Sequence, residues 1–497
     1  MTGENLEDSF GALGENQDSF LTLVSCLALF IQCGFALLEA GLVQSKNTTN
    51  ILTRHLVCIS ICASVYFACG YAFAFGPGNI FVGYDYFFMK NLPDRQFSHW
   101  LSQFVYVVTT TTIVAGAVAG RVQFTGYIVY SVSIAGVVQP IATHWAWTYQ
   151  GWLVSKAPGD ELKYQDFAGG GVVHVVGGAV GLIGTAVVGP RLGRFQSVNK
   201  PQVITKPERS TQRTSIGGVI IMLGMFALNC GGKLNAPQVH DGSDDIPLVF
   251  INTLLSGCFA SMTALTLKKS QLGRMHATSS LIVTINGALT GMVSISAGCN
   301  SMQPWCAILT GLVSGITYFA WSKFIDAIKV DDPVDAIAVH LGGGFWGLCA
   351  VSLFTKGNGV VFTFSSNAWR SFGWNITGGF VMMVWSMVLS LAIFGSLHLC
   401  KRLRITLNCE LTGLNINREE VPVYIGSNFG VEWGRHLADH HELELVSVNY
   451  NTDHLKVGDD SESSSTKDQT HPEENTTCMT IGNLHKMNGL TNTVTNS

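Results

Sequence analysis

The sequence predicts an all-α, polytopic membrane protein with eleven transmembrane helices. The 497-residue chain has only 12% charged residues, and long apolar stretches recur from residue 19 to residue 400. Soluble proteins carry roughly 25% charged residues. The 54 glycines also suit membrane helices, in which small residues let backbones approach closely. No basic segment predicts nucleic-acid binding, and no metal-site spacing or cofactor motif predicts a cofactor.

Eleven stretches are long enough to span a bilayer, which takes about 20 apolar residues per helix. In chain order, the predicted spans are 19–41, 53–76, 100–120, 124–147, 167–188, 214–232, 246–267, 277–298, 303–323, 335–355 and 375–399. Residues 1–18 are acidic and polar, so they do not resemble a signal peptide. We therefore expect a short N-terminal segment followed by a transmembrane domain of residues 19–400.

The positive charges predict the orientation. With the N-terminus outside the cell, the inner loops and helix ends hold seventeen Lys and Arg residues up to residue 404, and the outer loops hold seven. Cytoplasmic loops are enriched in these residues. The N-terminus is therefore predicted to be extracellular and the C-terminus cytosolic. The last stretch, 458–497, is rich in Ser, Thr, Asn, Asp and Glu, and is predicted to be a disordered cytosolic tail.

One internal repeat predicts two inverted halves. The spacing D-x7-H-x2-G-G-x2-G-L begins at Asp166, with its histidine at His174, and begins again at Asp332, with its histidine at His340. In the predicted topology the first copy enters the membrane from outside and the second from inside. Opposite-facing copies in the fifth and tenth spans are typical of inverted five-helix repeats, here with one additional last helix.

The two histidines are candidate pore residues. Eight helical residues cover about 12 Å, so each histidine would approach the midplane of a core about 30 Å thick from its own side. Ionisable residues at that depth are functional candidates by default. An imidazole can donate from one nitrogen and accept at the other, which suits a small hydrogen-bonding solute or its proton. The alternative is that each histidine bonds a backbone carbonyl and has only a structural role.

A second set of residues is predicted at the outer ends of their spans. Tyr106, Trp147, Asp166 and the segment 228–232 all fall there. Aromatic faces attract a desolvated cation. From position alone, however, Tyr106 and Trp147 fit the interfacial aromatic belt better.

Several segments of the chain, including those that carry both histidines, Trp147 and Asp166, resemble ammonium transporters of the Amt/Mep/Rh superfamily. They resemble the Amt branch of plants and invertebrates more than Rh proteins. The similarity covers about residues 19–420 in family order. The segments are GFALLEAG (34–41) with SKNTTNIL (45–52), THWAW (143–147), DFAGGGVVH (166–174), FALNCGG (226–232) and DDPVDAIAVH (331–340).

The resemblance implies specific roles. His174 and His340 match the twin pore histidines, Asp166 the acidic residue that supports the outer ammonium site, and Trp147 the recruiting tryptophan. It also implies a homotrimer with one pore per subunit, in which ammonium or ammonia is the substrate and methylammonium its analogue.

The outer mouth departs from the family pattern. Tyr106 stands where a gating phenylalanine is usual, Leu228 stands near the second gating position, and Gly232 replaces a common serine. In the predicted regulatory segment, 401–457, a motif resembles the family's E-x-x-G-[LM]-[DN]. Its residues here are Glu410, Gly413, Leu414 and Asn415.

The sequence thus predicts a multi-pass ammonium transporter of the cell membrane. An ammonium sensor with little net flux is the alternative, favoured by the altered outer residues and the long tail. An intramembrane enzyme is disfavoured, because no nucleophile elbow, HExxH motif or metal triad is present.

Overall fold

The computed structural model describes residues 15–157, 164–195, 210–232 and 246–414. The predicted fold class is confirmed, because within these residues eleven helices are long and apolar enough to cross a membrane. They are α1 (Gln17–Leu42), α2 (Ser45–Phe75), α3 (Phe97–Ala117), α4 (Phe124–Ser155), α5 (Gly170–Val188), α6 (Thr211–Gly231), α7 (Ile246–Leu272), α8 (Ala277–Ile295), α9 (Pro304–Ala327), α10 (Ile337–Phe354) and α11 (Ser366–Leu399). A short helix, α12 (Leu407–Thr412), follows.

Two helices begin well before their predicted starts. Helix α2 begins at Ser45 rather than at 53, and one face of its added polar turns is buried in the bundle: Asn47 and Ile51 are 5% and 2% exposed. A hydropathy window cannot register polar residues that face protein. Helix α11 begins at Ser366 rather than at 375 and has 34 residues, which span about 51 Å and exceed the hydrocarbon core.

The repeated segments form an inverted pair at the centre of the bundle. Both α5 and α10 begin with a π-helical segment, Gly170–Val175 in α5 and Ile337–Gly342 in α10. Each π-helical segment packs against the α-helical part of the other helix, so the two helices cross antiparallel. Helices α1 and α6, which correspond in the two halves, also pack together.

Glycines allow this crossing. A Cβ on Gly178 would lie 2.4 Å from the backbone nitrogen of Leu341, and a Cβ on Gly344 would lie 2.5 Å from the carbonyl oxygen of Gly170. A larger residue at either position would push the two backbones apart. The crossing brings the first turns of both helices, and the histidines they carry, to one place.

Candidate functional site

The two repeat aspartates cap the helices that carry the histidines. Asp166 Oδ2 accepts hydrogen bonds from the backbone nitrogens of Gly171 (2.9 Å) and Val172 (3.0 Å). Asp332 Oδ2 accepts one from the nitrogen of Ile337 (2.7 Å). A carboxylate at a helix N-terminus satisfies free N–H groups and interacts favourably with the helix dipole. The same local structure therefore sets the start of α5 and of α10.

His174 and His340 meet inside the bundle. Their Nδ1 atoms are 3.1 Å apart, and their rings lie 16° from parallel with centroids 5.2 Å apart. His174 is fully buried, and His340 is 4% exposed. His174 Nε2 has no hydrogen-bond partner among the described residues. The arrangement can hold one shared proton between the rings and leaves this Nε2 atom for a solute.

The outer residues also come together. The Tyr106 and Trp147 rings are perpendicular neighbours, with centroids 5.3 Å apart. Trp147 Nε1 donates to the Asp166 carbonyl (2.7 Å), and Tyr106 Oη donates to the Leu228 carbonyl (2.8 Å). Both rings are at most 4% exposed, so neither faces lipid as an aromatic-belt residue would. Because the Tyr106 hydroxyl donates its proton to Leu228, its oxygen could interact with a cation only as an acceptor.

The Asp166 carboxylate is only half satisfied. Oδ2 accepts the two backbone bonds, whereas Oδ1 is buried without a hydrogen-bond partner among the described residues. Burial raises the pKa of Asp166 to about 6, and the bonds from Val172 and Gly171 only partly offset this effect. Asp166 therefore changes charge slightly below neutral pH.

Gly232 has no room for the serine that is usual in the family. A Cβ there would lie 2.7 Å from both the ring and the carbonyl oxygen of Phe167. Sequence reasoning also missed a nearby hydroxyl, that of Ser102. A Cβ on Gly231 would lie 3.3 Å from Tyr106 Oη and 3.7 Å from Ser102 Oγ, so both oxygens border the space beside this glycine. Ser102 lies four residues before Tyr106 on α3, a helical spacing that could have identified it.

The predicted regulatory motif contacts residues beside the start of α2 and the ends of α5 and α11. Glu410 Oε1 accepts from the Leu192 nitrogen (2.8 Å), and Oε2 pairs with Arg404 (2.9 Å). Gly413 has a φ of +103°, and a Cβ there would lie 2.6 Å from the Lys46 side chain. Asn415 lies outside the described residues.

An ion pair between Arg191 and the buried Asp331 lies near this motif. Arg191 contacts Asp331 through Nη2 at 2.7 Å and donates to it from Nε at 2.7 Å. Burial alone would raise the pKa of Asp331, but the hydrogen bonds and charge of Arg191 outweigh it and hold the pKa at about 2. Asp331 therefore remains ionised, and the link between the α5–α6 connection and the α9–α10 connection persists, at all physiological pH values.

Known proteins are similar to this chain in sequence. The Ammonium Transporter Family matches residues 19–424. The chain is 37% identical to "Putative ammonium transporter 1" of Caenorhabditis elegans, over 84% of this chain and 81% of that protein. It is 33% identical to Ammonium transporter 3 of Dictyostelium discoideum, over 80% and 92%.

Solved structures are also similar to this chain in fold. "Sensor Amt Protein" has a TM-score of 0.72 and 31% identity, covering 81% of this chain and 98% of that one. Candida albicans Mep2, at 23% identity and a TM-score of 0.68, covers 79% of this chain and 86% of its own and shares the fold. This chain is a member of the ammonium transporter family.

Proposed function

We propose that this ammonium transporter collects NH4+ at the outer mouth, removes its proton and conducts ammonia between His174 and His340. One observation carries the proposal: two buried imidazoles share a 3.1 Å Nδ1–Nδ1 contact at the crossing of the inverted helices. Tyr106, Trp147 and Asp166 would hold the cation before it enters.

The burial of the passage explains why NH4+ would have to release its proton before crossing. An unpaired ion is very costly in a dry, apolar passage. Ammonium can lower that cost by releasing a proton and crossing as a neutral molecule that hydrogen-bonds to imidazole. Potassium has no proton to release, so the same passage excludes it.

The assembly and orientation belong to the proposal. We infer a homotrimer in the plasma membrane, with residues 1–18 outside and the regulatory segment 401–457 and tail 458–497 in the cytosol. The seventeen-to-seven distribution of Lys and Arg supports this orientation.

Uptake of labelled methylammonium into oocytes that express the chain tests the function. We expect uptake above that of control oocytes, competition by ammonium, and no competition by an equal concentration of K+. Competition by K+ would falsify the deprotonation step, and absence of uptake at verified surface expression would contradict transport.

An ammonium sensor is the second candidate. The altered outer residues Tyr106, Leu228 and Gly232 favour it, as does the similarity to a solved structure titled "Sensor Amt Protein". A sensor would bind ammonium and change its cytosolic segment while carrying little flux. Ammonium binding to the purified chain, combined with no uptake in oocytes, would favour this reading.

A further inference from the structure

A cluster of ionisable side chains lies within the bundle among residues that the proposed pore does not use. It joins Glu39 near the end of α1, His55 in α2, and Tyr127 and Tyr130 in α4. None of the four is more than 6% exposed. Ionisable groups inside a transmembrane bundle are costly to bury and mark ion or proton sites by default.

Glu39 and His55 connect α1 to α2. His55 Nε2 donates to Glu39 Oε2 at 2.9 Å. His55 Nδ1 is buried and has no hydrogen-bond partner among the described residues. A neutral imidazole that donates from Nε2 has a lone pair on Nδ1. This atom is therefore an acceptor that a water or a proton would satisfy.

Two phenol hydroxyls are also buried without a hydrogen-bond partner within the residues that the structure describes. In the described part of the chain, Tyr127 Oη and Tyr130 Oη are buried without a hydrogen-bond partner, although Tyr127 faces the weakly bonding thiol of Cys58. The two rings touch, with centroids 5.0 Å apart. Cys58 lies one helical turn after His55 on α2, and both tyrosines interact electrostatically with Cys58 and Glu39, so the four side chains are neighbours. Buried polar atoms nearly always bond to protein or water, so this region has the character of a hydrated site.

The charges around the site permit one additional proton. Helix α1 contributes Glu39, and α2 contributes Arg54, whose guanidinium carbon lies 5.7 Å from the centre of the Tyr127 ring. With Glu39 ionised and His55 neutral, Arg54 balances the carboxylate. A proton on His55 Nδ1 creates an imidazolium that has Glu39 as its direct partner. Both states thus keep a counter-charge close by.

The other neighbouring side chains that the structure describes add no further charge to Glu39, His55 and Arg54 at neutral pH. Cys58 and Cys62 lie 3.8 Å apart on α2, and Cys62 donates to the Thr111 hydroxyl of α3 at 3.5 Å. Helix α11 contributes the apolar ring of Phe394, 5.7 Å from that of Tyr130. The additional proton would therefore bind within the Glu39–His55 pair.

The site lies near the inner end of the bundle. Arg54 Nη2 donates to the Val122 carbonyl at 2.7 Å, in the connection between α3 and α4. Val122 also pairs through its backbone with Arg404, in the segment after α11. In the proposed orientation, these connections face the cytosol.

We propose that Glu39, His55, Tyr127 and Tyr130 form a hydrated proton-binding site, separate from the histidine pore and loaded from the cytosol. Its ligand is a proton held with water between His55 and the two phenols. A bound proton adds positive charge at the inner end of the bundle and so opposes the passage of cations. The cytosolic side and the effect on flux rest on the proposed function; the binding of a proton does not.

Infrared pH-difference spectra of the purified, reconstituted full chain test proton binding without requiring flux. We expect imidazole and carboxylate signals as the pH is lowered. Glu39→Gln and His55→Gln should each remove them, and Tyr127→Phe with Tyr130→Phe should shift them. This double variant removes hydroxyls that lack a protein acceptor, so it should fold. Tyr66→Phe, a buried tyrosine elsewhere on α2, is the matched control and should not alter the spectrum.

Methylammonium uptake into cells with clamped cytosolic pH tests whether the bound proton lowers flux. Wild-type uptake should fall as the cytosol is acidified, and uptake by Glu39→Gln and His55→Gln should not. Spectra unchanged in both variants would overturn the proton site. An unchanged pH dependence of uptake in both would overturn its effect on flux. If wild type shows the spectral signals but no uptake, the proposed function fails and the proton site stands.

Discussion

At the residue scale, the contact between His174 and His340 limits the charge that the pair can hold. Two Nδ1 atoms at 3.1 Å need one donor and one acceptor, so both rings can be neutral while sharing a proton. One Nε2 atom is then a donor and the other an acceptor. These roles are exchanged, with both rings neutral, when the shared proton moves across while the donor Nε2 releases a proton and the other Nε2 takes one up. Such an exchange suits a relay for a neutral hydrogen-bonding solute.

The hydroxyl of Tyr106 gives the first residue-scale prediction. Its hydroxyl donates to the Leu228 carbonyl, and a hydroxyl oxygen can also accept a hydrogen bond from an arriving cation. Tyr106→Phe should weaken apparent ammonium affinity about tenfold, the equivalent of about 1.5 kcal/mol for one hydrogen bond to a charged group, without abolishing flux. Concentration series of methylammonium uptake measure this, with Tyr66→Phe as the control. Unaltered affinity would mean that Tyr106 only supports Leu228.

The Asp166 carboxyl gives a pH prediction. Because burial raises its pKa to about 6, the group is ionised above that pH and neutral below it. Only the ionised form attracts a cation. Apparent ammonium affinity should therefore fall as external pH drops through about 6, and Asp166→Asn should have weak affinity throughout. If Asp166→Asn keeps the wild-type pH dependence, another group is responsible.

Sequence reasoning reached some of these residues and not others. The repeat spacing predicted that the two histidines would approach one another, because it fixed their depth from opposite sides. It could not reveal that Phe167 fills the space beside Gly232, because that contact depends on how α6 packs against the start of α5. Ser102 could have been identified only through its four-residue spacing from Tyr106, since a lone serine in an apolar span has no other pattern.

At the element scale, the unpredicted feature is the π-helical start of α5 and of α10. Apolar periodicity identifies a span but does not separate α from π turns. Such turns are frequent at functional sites, and here they contain both histidines. The early start of α2 was missed for a related reason, since a hydropathy window does not register a polar residue such as Asn47 that faces protein.

The C-terminal segment gives the element-scale prediction. Gly413→Asp should suppress flux, because its φ of +103° disfavours any side chain and a Cβ there meets Lys46. Gly273→Asp is the matched control: Gly273 also has a positive φ, 68°, but nothing lies within 4 Å of its Cβ position. Uptake at equal surface expression measures the effect. In mixed trimers, suppression only in proportion to mutant dose would contradict coupling between subunits.

At the scale of the whole molecule, two inverted halves bring one histidine each to a shared position. Neither half could form the pair alone, since each contributes a single helix to the crossing. The crossing depends on Gly178 and Gly344, so the fold and the proposed pore have the same structural requirement. Hydropathy was enough to predict the span count, and the repeated motif, placed in the topology predicted from the charges, was enough to predict the inversion. The detailed packing at the outer mouth required the structure.

The most direct measurement is methylammonium uptake by His174→Ala and His340→Ala, each at wild-type surface expression and each with and without competing K+. The account predicts that both variants change the rate about tenfold or more, or lose discrimination against K+, because removing either imidazole breaks the shared contact. Wild-type rates and wild-type selectivity in both variants would contradict a pore built on this pair.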